Sequence, residues 1–349
     1  MKLLILGGVG VTGGSVTSRA LELGYDVTLV NHGRDLSYQK MGAKYLIADF
    51  RDVAEMKEKL KGQSFDCVID FFAFELEEVR KDYELFRGIT KQFLFISTCV
   101  VYGKPLRCLP VREDAPLYNY RSPYGMNKAA CERFLLDKYY EEGFPVTIVR
   151  PSHTYWTGEV IVPVATAKTQ WTYIDRMLRG KETIVPGDGM SLWTVTHHKD
   201  FAKGVVGLIG KPQALGNAFH VTSDWTQTWD TLVKNYGFAL GIDPKILHMS
   251  GDLLDKYYYK EPNWVVDKGQ TIQFDNSKIK SVVPEFQCEI PHSLAARMCI
   301  EYYEQHPERK IVDEAYNAQM DRLIENYRKI EACMEDDYGE IPFHPSVTN

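Results

Sequence analysis

Tyr124 and Lys128, in the run Tyr124-Gly125-Met126-Asn127-Lys128, are the pair in this sequence best suited to moving a proton. Residues four apart stand one above the other on a helix face, so the phenol and the amine would share one stripe. A lysine beside a phenol favours its ionised form, bringing a group with an ordinary pKa of about 10 toward use near neutrality. Upstream, Phe95-Ile96-Ser97-Thr98-Cys99-Val100-Val101-Tyr102-Gly103 carries hydroxyls at the exit of an apolar run. Ser97 or Thr98 can hold a substrate oxygen, and Thr98 is the better candidate, with Ser97 serving local backbone groups. Cys99 lies beside the substrate position without a partner base, which argues against a nucleophile. Tyr102 reads as a packing residue of the turn. Phenol, amine and hydroxyl together suit the reversible oxidation of an alcohol, in which proton and hydride leave adjacent atoms.

A hydride needs an acceptor, and the start of the chain offers a place for one. Gly7-Gly8-Val9-Gly10-Val11-Thr12-Gly13-Gly14 separates a buried apolar run from a helical pattern, with glycines spaced Gly7-x-x-Gly10-x-x-Gly13. A diphosphate at a helix start requires close backbone approach and free amide donors, including those near Val11 and Thr12. Gly10 is the candidate for closest approach and Gly13 for packing helix on strand. The second strand ends in Val30-Asn31-His32-Gly33-Arg34, with no acid at its tip to bind ribose hydroxyls. Asn31, His32 and Arg34 therefore favour NADP weakly over NAD. Asp49 is placed to accept from the adenine amine; the alternative is that Asp49 or Asp52 caps the next helix. Phe71 and Ala73 would line the diphosphate path, and Pro151, Ser152 and His153 would pass the nicotinamide end. His153 and Trp193 are candidate substrate contacts, Trp193 doubling as lobe packing. His197-His198-Lys199-Asp200 superficially resembles a metal cluster, but no further ligand set accompanies it and no metal is expected.

The elements that must position these residues alternate along the chain. Strands are expected at Lys2–Leu6, Tyr25–Val30, Tyr45–Ala48, Phe65–Ile69, Gln92–Ser97 and Phe144–Val149, with helices near 12–23, 53–61 and 126–140. This is an α/β pattern: a Rossmann-like, doubly wound parallel sheet flanked by helices. A smaller mixed C-terminal lobe follows, giving a dinucleotide-binding unit over 1–155 and a mainly substrate-binding part over 156–349. Segments around 196–240 return to the first unit, with Asp200 capping a helix and a further strand at Ala218–Thr222. Helices are also expected at 172–179, 228–240, 251–258, 293–304 and 313–333, the last packing on the lobe or making a subunit contact, so a homodimer is one expectation.

The 349 residues suffice for one large domain with a lobe, and 44% hydrophobic with 25% charged residues is ordinary for a globular chain. A net charge of −6 gives no broad grip on nucleic acid or anionic lipid. The opening apolar run stops at Gly7-Gly8, too short for a secretory signal, and no stretch reaches the roughly 18 apolar residues of a membrane span. Seven scattered cysteines without a C-x-x-C suit a reducing compartment, and the cytoplasm is the expected location.

Taken together these motifs resemble the short-chain dehydrogenase/reductase superfamily, in its extended NAD-dependent epimerase/dehydratase branch. The resemblance rests on the GGxGxxG start, the run from Phe95 to Gly103, Tyr124 with Lys128, and Arg150-Pro151. It covers about residues 1–240, with a looser match at Phe274-Asp275-Asn276-Ser277-Lys278. It implies a seven-stranded sheet, a smaller substrate lobe, and Thr98, Tyr124 and Lys128 as the catalytic set. His32 departs from the arginine frequent in relatives, and Ser152-His153-Thr154-Tyr155-Trp156 departs from the usual stretch leading into Tyr-Gly-Pro. Divergent members of this branch resemble nucleic-acid-associated chloroplast proteins, a comparison that this chain's acidity and the expected lack of a targeting segment weaken. No carboxylate follows Thr98, which disfavours a dehydratase. The expected function is an NAD(P)-dependent epimerase or oxidoreductase for a sugar or nucleotide-sugar alcohol or ketone. The alternatives are a simple NADP-dependent carbonyl reductase and a non-catalytic dinucleotide-sensing protein.

Overall fold

The computed structural model describes residues 1–164, 169–259 and 268–338. Short apolar, β-branched runs early in the chain form strands that are buried on both faces. They are β1 (Lys2–Leu6), β2 (Asp26–Asn31), β3 (Lys44–Ile47), β4 (Cys67–Asp70), β5 (Phe93–Ile96) and β6 (Val146–Pro151). The next strand, β7 (His153–Tyr155), starts a separate sheet, and the lobe adds β8 (Thr183–Pro186) and β9 (Leu192–His197). The chain then returns with β10 (Asn217–Val221), which completes a seven-stranded sheet in the order β10-β6-β5-β4-β1-β2-β3. Every pair in that sheet is parallel. The order reverses at β1, whose neighbours are β2 and β4, the point beyond whose strand ends open α/β sheets bind their ligands.

Helices cover both faces: α1 (Val11–Glu22), α2 (Val53–Leu60), α3 (Leu76–Phe86) and α4 (Pro123–Glu142) in the first part, and α5 (Trp171–Leu178), α6 (His198–Gly207) and α7 (Trp229–Leu240) later. Leu3, Ile5, Leu29, Ile69 and Leu94 point to one face, against α1 and α6. Leu4, Leu6, Val68, Phe93 and Phe95 point to the other, with Val79 and Phe86 of α3 and Leu135 of α4. The parallel sheet with helices and a smaller C-terminal lobe is the expected architecture. In the lobe, β9 lies between β7 and β11 (Thr226–Thr228), while β8 pairs with β12 (Ile246–Met249). Trp171, Trp193, Trp229, Tyr236 and Tyr303 build its own core.

Three local expectations are corrected. Helix α3 was not foreseen; its acid-rich sequence, Leu76-Glu77-Glu78-Val79-Arg80-Lys81-Asp82, masks the stripe formed by Val79, Tyr83 and Phe86. Asp200 does not cap α6: the His197 ring accepts the Lys199 amide at 3.4 Å, and the buried Asp200 accepts from Ile290 N at 2.9 Å. The helix expected at 251–258 is α-helical over Gly251–Leu254 and continues as a π-turn.

Candidate functional site

The glycine-rich turn lies between β1 and α1, at the point where the strand order reverses. A side chain at Gly13 would place its Cβ 2.2 Å from the Gly7 carbonyl oxygen, so only glycine lets α1 start this close to the turn. Gly10, the residue before α1, is different: a Cβ there would meet only the Gly7 carbonyl, at 3.8 Å. The space above the helix start is therefore clear of protein, and Val11 beside it is exposed. This open cradle, with helix amides aimed into it, fits the diphosphate of a dinucleotide.

At the tip of β2, Asn31 is spent on its own turn. Its amide donates to Asp35 O at 2.5 Å, and its Oδ1 accepts from Gly33 N at 2.8 Å. His32 and Arg34 are exposed on this turn. Asp35, the first acid after the strand, accepts from Ser37 N at 2.9 Å, a bond that holds its carboxyl below the usual range. Asp49 is exposed and accepts from Arg51 N at 3.0 Å, while Asp52 caps α2 through Ala54 N and Glu55 N. The Phe50 and Phe72 rings, on the loops that follow β3 and β4, stack at 4.3 Å, and Phe71 is half-buried toward the other face of the sheet.

Helix α4 brings the chemistry together. Ser122 caps it by accepting from Gly125 N at 3.1 Å, and Pro123 takes the first helical position. Gly125 has no room for a side chain, because a Cβ would lie 2.6 Å from Val100 O. The helix start therefore presses onto the turn that carries Thr98. Three successive residues leaving β5 then meet a single stripe of the helix. The Thr98 side chain lies beside the Tyr124 phenol, the Ile96 carbonyl accepts from Lys128 Nζ at 2.7 Å, and Ser97 Oγ donates to Glu132 at 2.5 Å. Tyr124, Lys128 and Glu132 are spaced by four, so one face of α4 makes all three contacts.

Lys128 is buried and also donates to Ala73 O at 2.6 Å. An ammonium has three donors, so one remains for a further acceptor such as a ribose hydroxyl. Burial lowers its pKa, opposed chiefly by Asp70. The effect on Tyr124 differs from the expectation. Desolvation raises the pKa of the phenol, although Tyr124 is 41% exposed, and only the neighbouring Thr98 side chain lowers it; no hydrogen bond joins Lys128 to Tyr124 among the described residues. Two backbone carbonyls hold the ammonium, and the phenol in this state stays a proton donor.

Cys99 is buried, its thiol pushed well up by burial and bonded to Arg150 O at 3.4 Å, so it faces the protein. Ala73 is buried, whereas Pro151 and Ser152 are half-exposed where β6 gives way to β7. Ser152 Oγ lies 3.2 Å from Thr196 Oγ1 of β9. Trp193 Nε1 donates to His153 Nδ1 at 3.3 Å, and the Trp193 ring packs on Trp229. Among the described residues, no group of three or more His, Cys, Asp or Glu side chains is arranged to hold a metal. No helix among them is long and apolar enough to cross a membrane.

Sequence reasoning missed the buried polar network behind Thr98. Arg150 grips the fully buried Glu132 through Nε at 3.0 Å and Nη2 at 2.5 Å. Its Nη1 donates to Tyr102 Oη and to Glu113 O, both at 2.8 Å. Tyr102 Oη also bonds His220 Nε2, and His220 Nδ1 lies 2.9 Å from Asp275 O. Tyr102 is thus a buried polar link as well as a packing residue. The available signal was Glu132, one further step of four beyond Tyr124 and Lys128.

Residues 3–221 match the NAD dependent epimerase/dehydratase family. A chloroplast stem-loop binding protein of 41 kDa from Arabidopsis thaliana is 25% identical over 261 residues, covering 71% of this chain and 65% of its own length. A putative UDP-glucose 4-epimerase from Methanocaldococcus jannaschii is 27% identical over 227 residues, covering 58% of this chain and 71% of its own. The chain thus spans just under two thirds of the first relative's length. The structure also superposes on a dTDP-glucose 4,6-dehydratase from Bacillus anthracis in complex with NAD, with a TM-score of 0.70 and 18% identity, covering 88% of this chain and 98% of that one. At that identity the likeness speaks for the fold.

Proposed function

Because the chain belongs to the NAD dependent epimerase/dehydratase family, we propose that it is an NAD(P)-dependent epimerase or oxidoreductase acting on a secondary alcohol or ketone of a sugar or nucleotide sugar. The observation that carries this reading is the convergence of Thr98, Tyr124 and Lys128 at the end of β5, in a fold whose glycine turn leaves an open diphosphate cradle. In the proposed complex Gly7, Gly10, Val11, Thr12 and Gly13 hold the diphosphate, and Phe71 and Ala73 line its path. Asp49 faces the adenine, Pro151 and Ser152 orient the nicotinamide end, and Lys128 gives its remaining donor to the ribose. When bound, the dinucleotide supplies the hydride acceptor and donor.

Thr98 then orients the substrate oxygen. Tyr124 takes its proton during oxidation and returns one during reduction. Because the phenol's pKa is raised rather than lowered, the ligand-free site holds a proton donor set for the reductive direction, and oxidation is favoured as pH rises. His153 and Trp193 form the substrate wall beyond β6; Cys99 contributes backbone and bulk, since its thiol faces Arg150. No carboxylate follows Thr98, which favours epimerisation or simple redox over dehydration.

The preferred cofactor in this reading is NADP. Asn31 and Asp35 are committed to local bonds, which leaves exposed His32 and Arg34 to receive a 2′-phosphate. The seven cysteines are free, which suits a reducing, cytoplasmic setting. Stem-loop binding, named for one relative, is not carried over: a net charge of −6 offers no broad basic surface.

The test is product chemistry. Purified protein is incubated with NAD or NADP and a panel of nucleotide sugars, and products are followed by mass spectrometry and chromatography. Epimer formation without net cofactor change supports the epimerase. Equal amounts of reduced substrate and oxidised cofactor point to the carbonyl reductase. Tight dinucleotide binding without turnover across sugars, polyols and carbonyls overturns the enzyme and leaves the sensor.

A further inference from the structure

Lys128 is the amine through which the site would hold a ribose hydroxyl, yet it is only 2% exposed. Four groups lie close around its Nζ. The carbonyls of Ala73 and Ile96 accept from it at 2.6 and 2.7 Å. Two aromatic rings flank it, with Nζ 4.6 Å from the centre of Phe95 and 4.8 Å from the centre of Phe74. An ammonium within about 6 Å of a ring centre is attracted by the ring's negative face, so the two rings help to hold a charge that only two oxygens accept from.

These four groups differ in whether they can move aside. Ala73 and Ile96 contribute backbone, and Phe95 is a fully buried residue of β5, packed in the core against α3 and α4. Among the four, Phe74 alone keeps a side chain in solvent: it is 47% exposed, on the turn between β4 and α3. The backbone of that turn is fixed. Phe74 N donates to Glu78 Oε2 at 2.7 Å and Glu75 N donates to the same oxygen at 3.1 Å, Glu78 being in the first turn of α3. The ring can therefore rotate about its own side-chain bonds while the Ala73 carbonyl next to it stays on Lys128. On its other flank lies the exposed Tyr124, the ring centres 6.2 Å apart, so the ring that covers the amine also borders the phenol.

We propose that Phe74 gates Lys128: until a dinucleotide binds, its ring covers the side of the ammonium that a ribose hydroxyl takes in the complex, and binding turns the ring away. Phe74 acts through Lys128 and is a positioning residue. The turning on binding rests on the cofactor-binding role of Lys128 proposed above, whereas the cover over the amine does not.

Amine-selective labelling of purified protein without added cofactor, read by mass spectrometry of the Lys128 peptide, tests the cover. Phe74→Ala should label Lys128 roughly tenfold faster than wild type, Phe74→Tyr should restore the protection, and the other lysines should react at unchanged rates. Equal rates at Lys128 in wild type and Phe74→Ala overturn the proposal, whatever the substrate screen returns. Fluorine NMR of protein carrying para-fluorophenylalanine in place of Phe74 tests the turning and keeps the native shape should Phe74→Ala fail to fold. Saturating NADP should shift that resonance, and an unmoved resonance in protein shown by titration to be loaded overturns the gate. Protein that binds neither NAD nor NADP overturns the functional reading and the turning together, while the labelling still decides the cover.

Discussion

Replacing Arg150 with methionine should be among the most damaging single changes that leave the cofactor and substrate contacts untouched. The substitution keeps an unbranched chain of similar reach but removes the guanidinium. Glu132, fully buried, would lose donors at 3.0 and 2.5 Å and retain only Ser97, while Tyr102 Oη and Glu113 O would each lose a bond of 2.8 Å. Breaking a buried ion pair from one side costs about 3–5 kcal/mol, because the remaining charge has no compensation. With an unfolding entropy of about 2.1 cal/mol/K per residue, 349 residues give roughly 0.7 kcal/mol/K. The melting temperature should therefore fall by roughly 4–7 °C. Calorimetry of Arg150→Met, Glu132→Gln and the double variant is the assay. If the orphaned charge is the cause, the double variant recovers more than half of the loss. A fall of less than about 1 °C, or a double variant no better than Arg150→Met, would refute the reasoning.

Gly13→Ala should cost stability and weaken dinucleotide binding at least tenfold, since its Cβ would meet the Gly7 carbonyl at 2.2 Å; binding titrations check this. Arg34→Ala should weaken NADP by about 1–3 kcal/mol and leave NAD nearly unchanged, as measured by paired titrations. Acid should destabilise the fold through its buried histidines. Burial depresses His197 and His292 to about 3, with His198 adding to the effect on His197 and His153 to that on His292. Their neutral forms are favoured above the unfolded pKa of about 6.5, and that stability is lost as pH falls toward the folded values, roughly 2 kcal/mol each by pH 5. His292→Phe should make the acid side of the melting-temperature profile shallower, and an identical slope would count against this account.

Much of this molecule could be read from the chain because local chemistry and global position agree. Continuous apolar runs such as Lys2–Leu6 have one stable place, inside a parallel sheet, and the glycine spacing after it has one geometry. The stripe of Tyr124 and Lys128 was legible for the same reason: helical spacing alone puts both on one face. What could not be read are contacts between residues far apart in sequence. Arg150 meets Glu132 because β6 lies beside β5 beneath α4. The raised pKa of Tyr124 belongs here too. Spacing puts the amine on the right face, but the carbonyls of Ala73 and Ile96, from two other segments, decide where it points. The lobe was the least legible, since β8 and β12 pair across more than sixty residues.

The central claim is that the Tyr124 phenol exchanges the substrate proton beside the nicotinamide. It is tested most directly by stopped-flow absorbance of the nicotinamide in a single turnover, with wild type and Tyr124→Phe each saturated with cofactor and the best substrate from the screen. Cofactor reduction in the wild type, slowed at least a hundredfold in a variant that binds both ligands as tightly, is the expected result. Equal reduction rates in the two proteins would contradict the account.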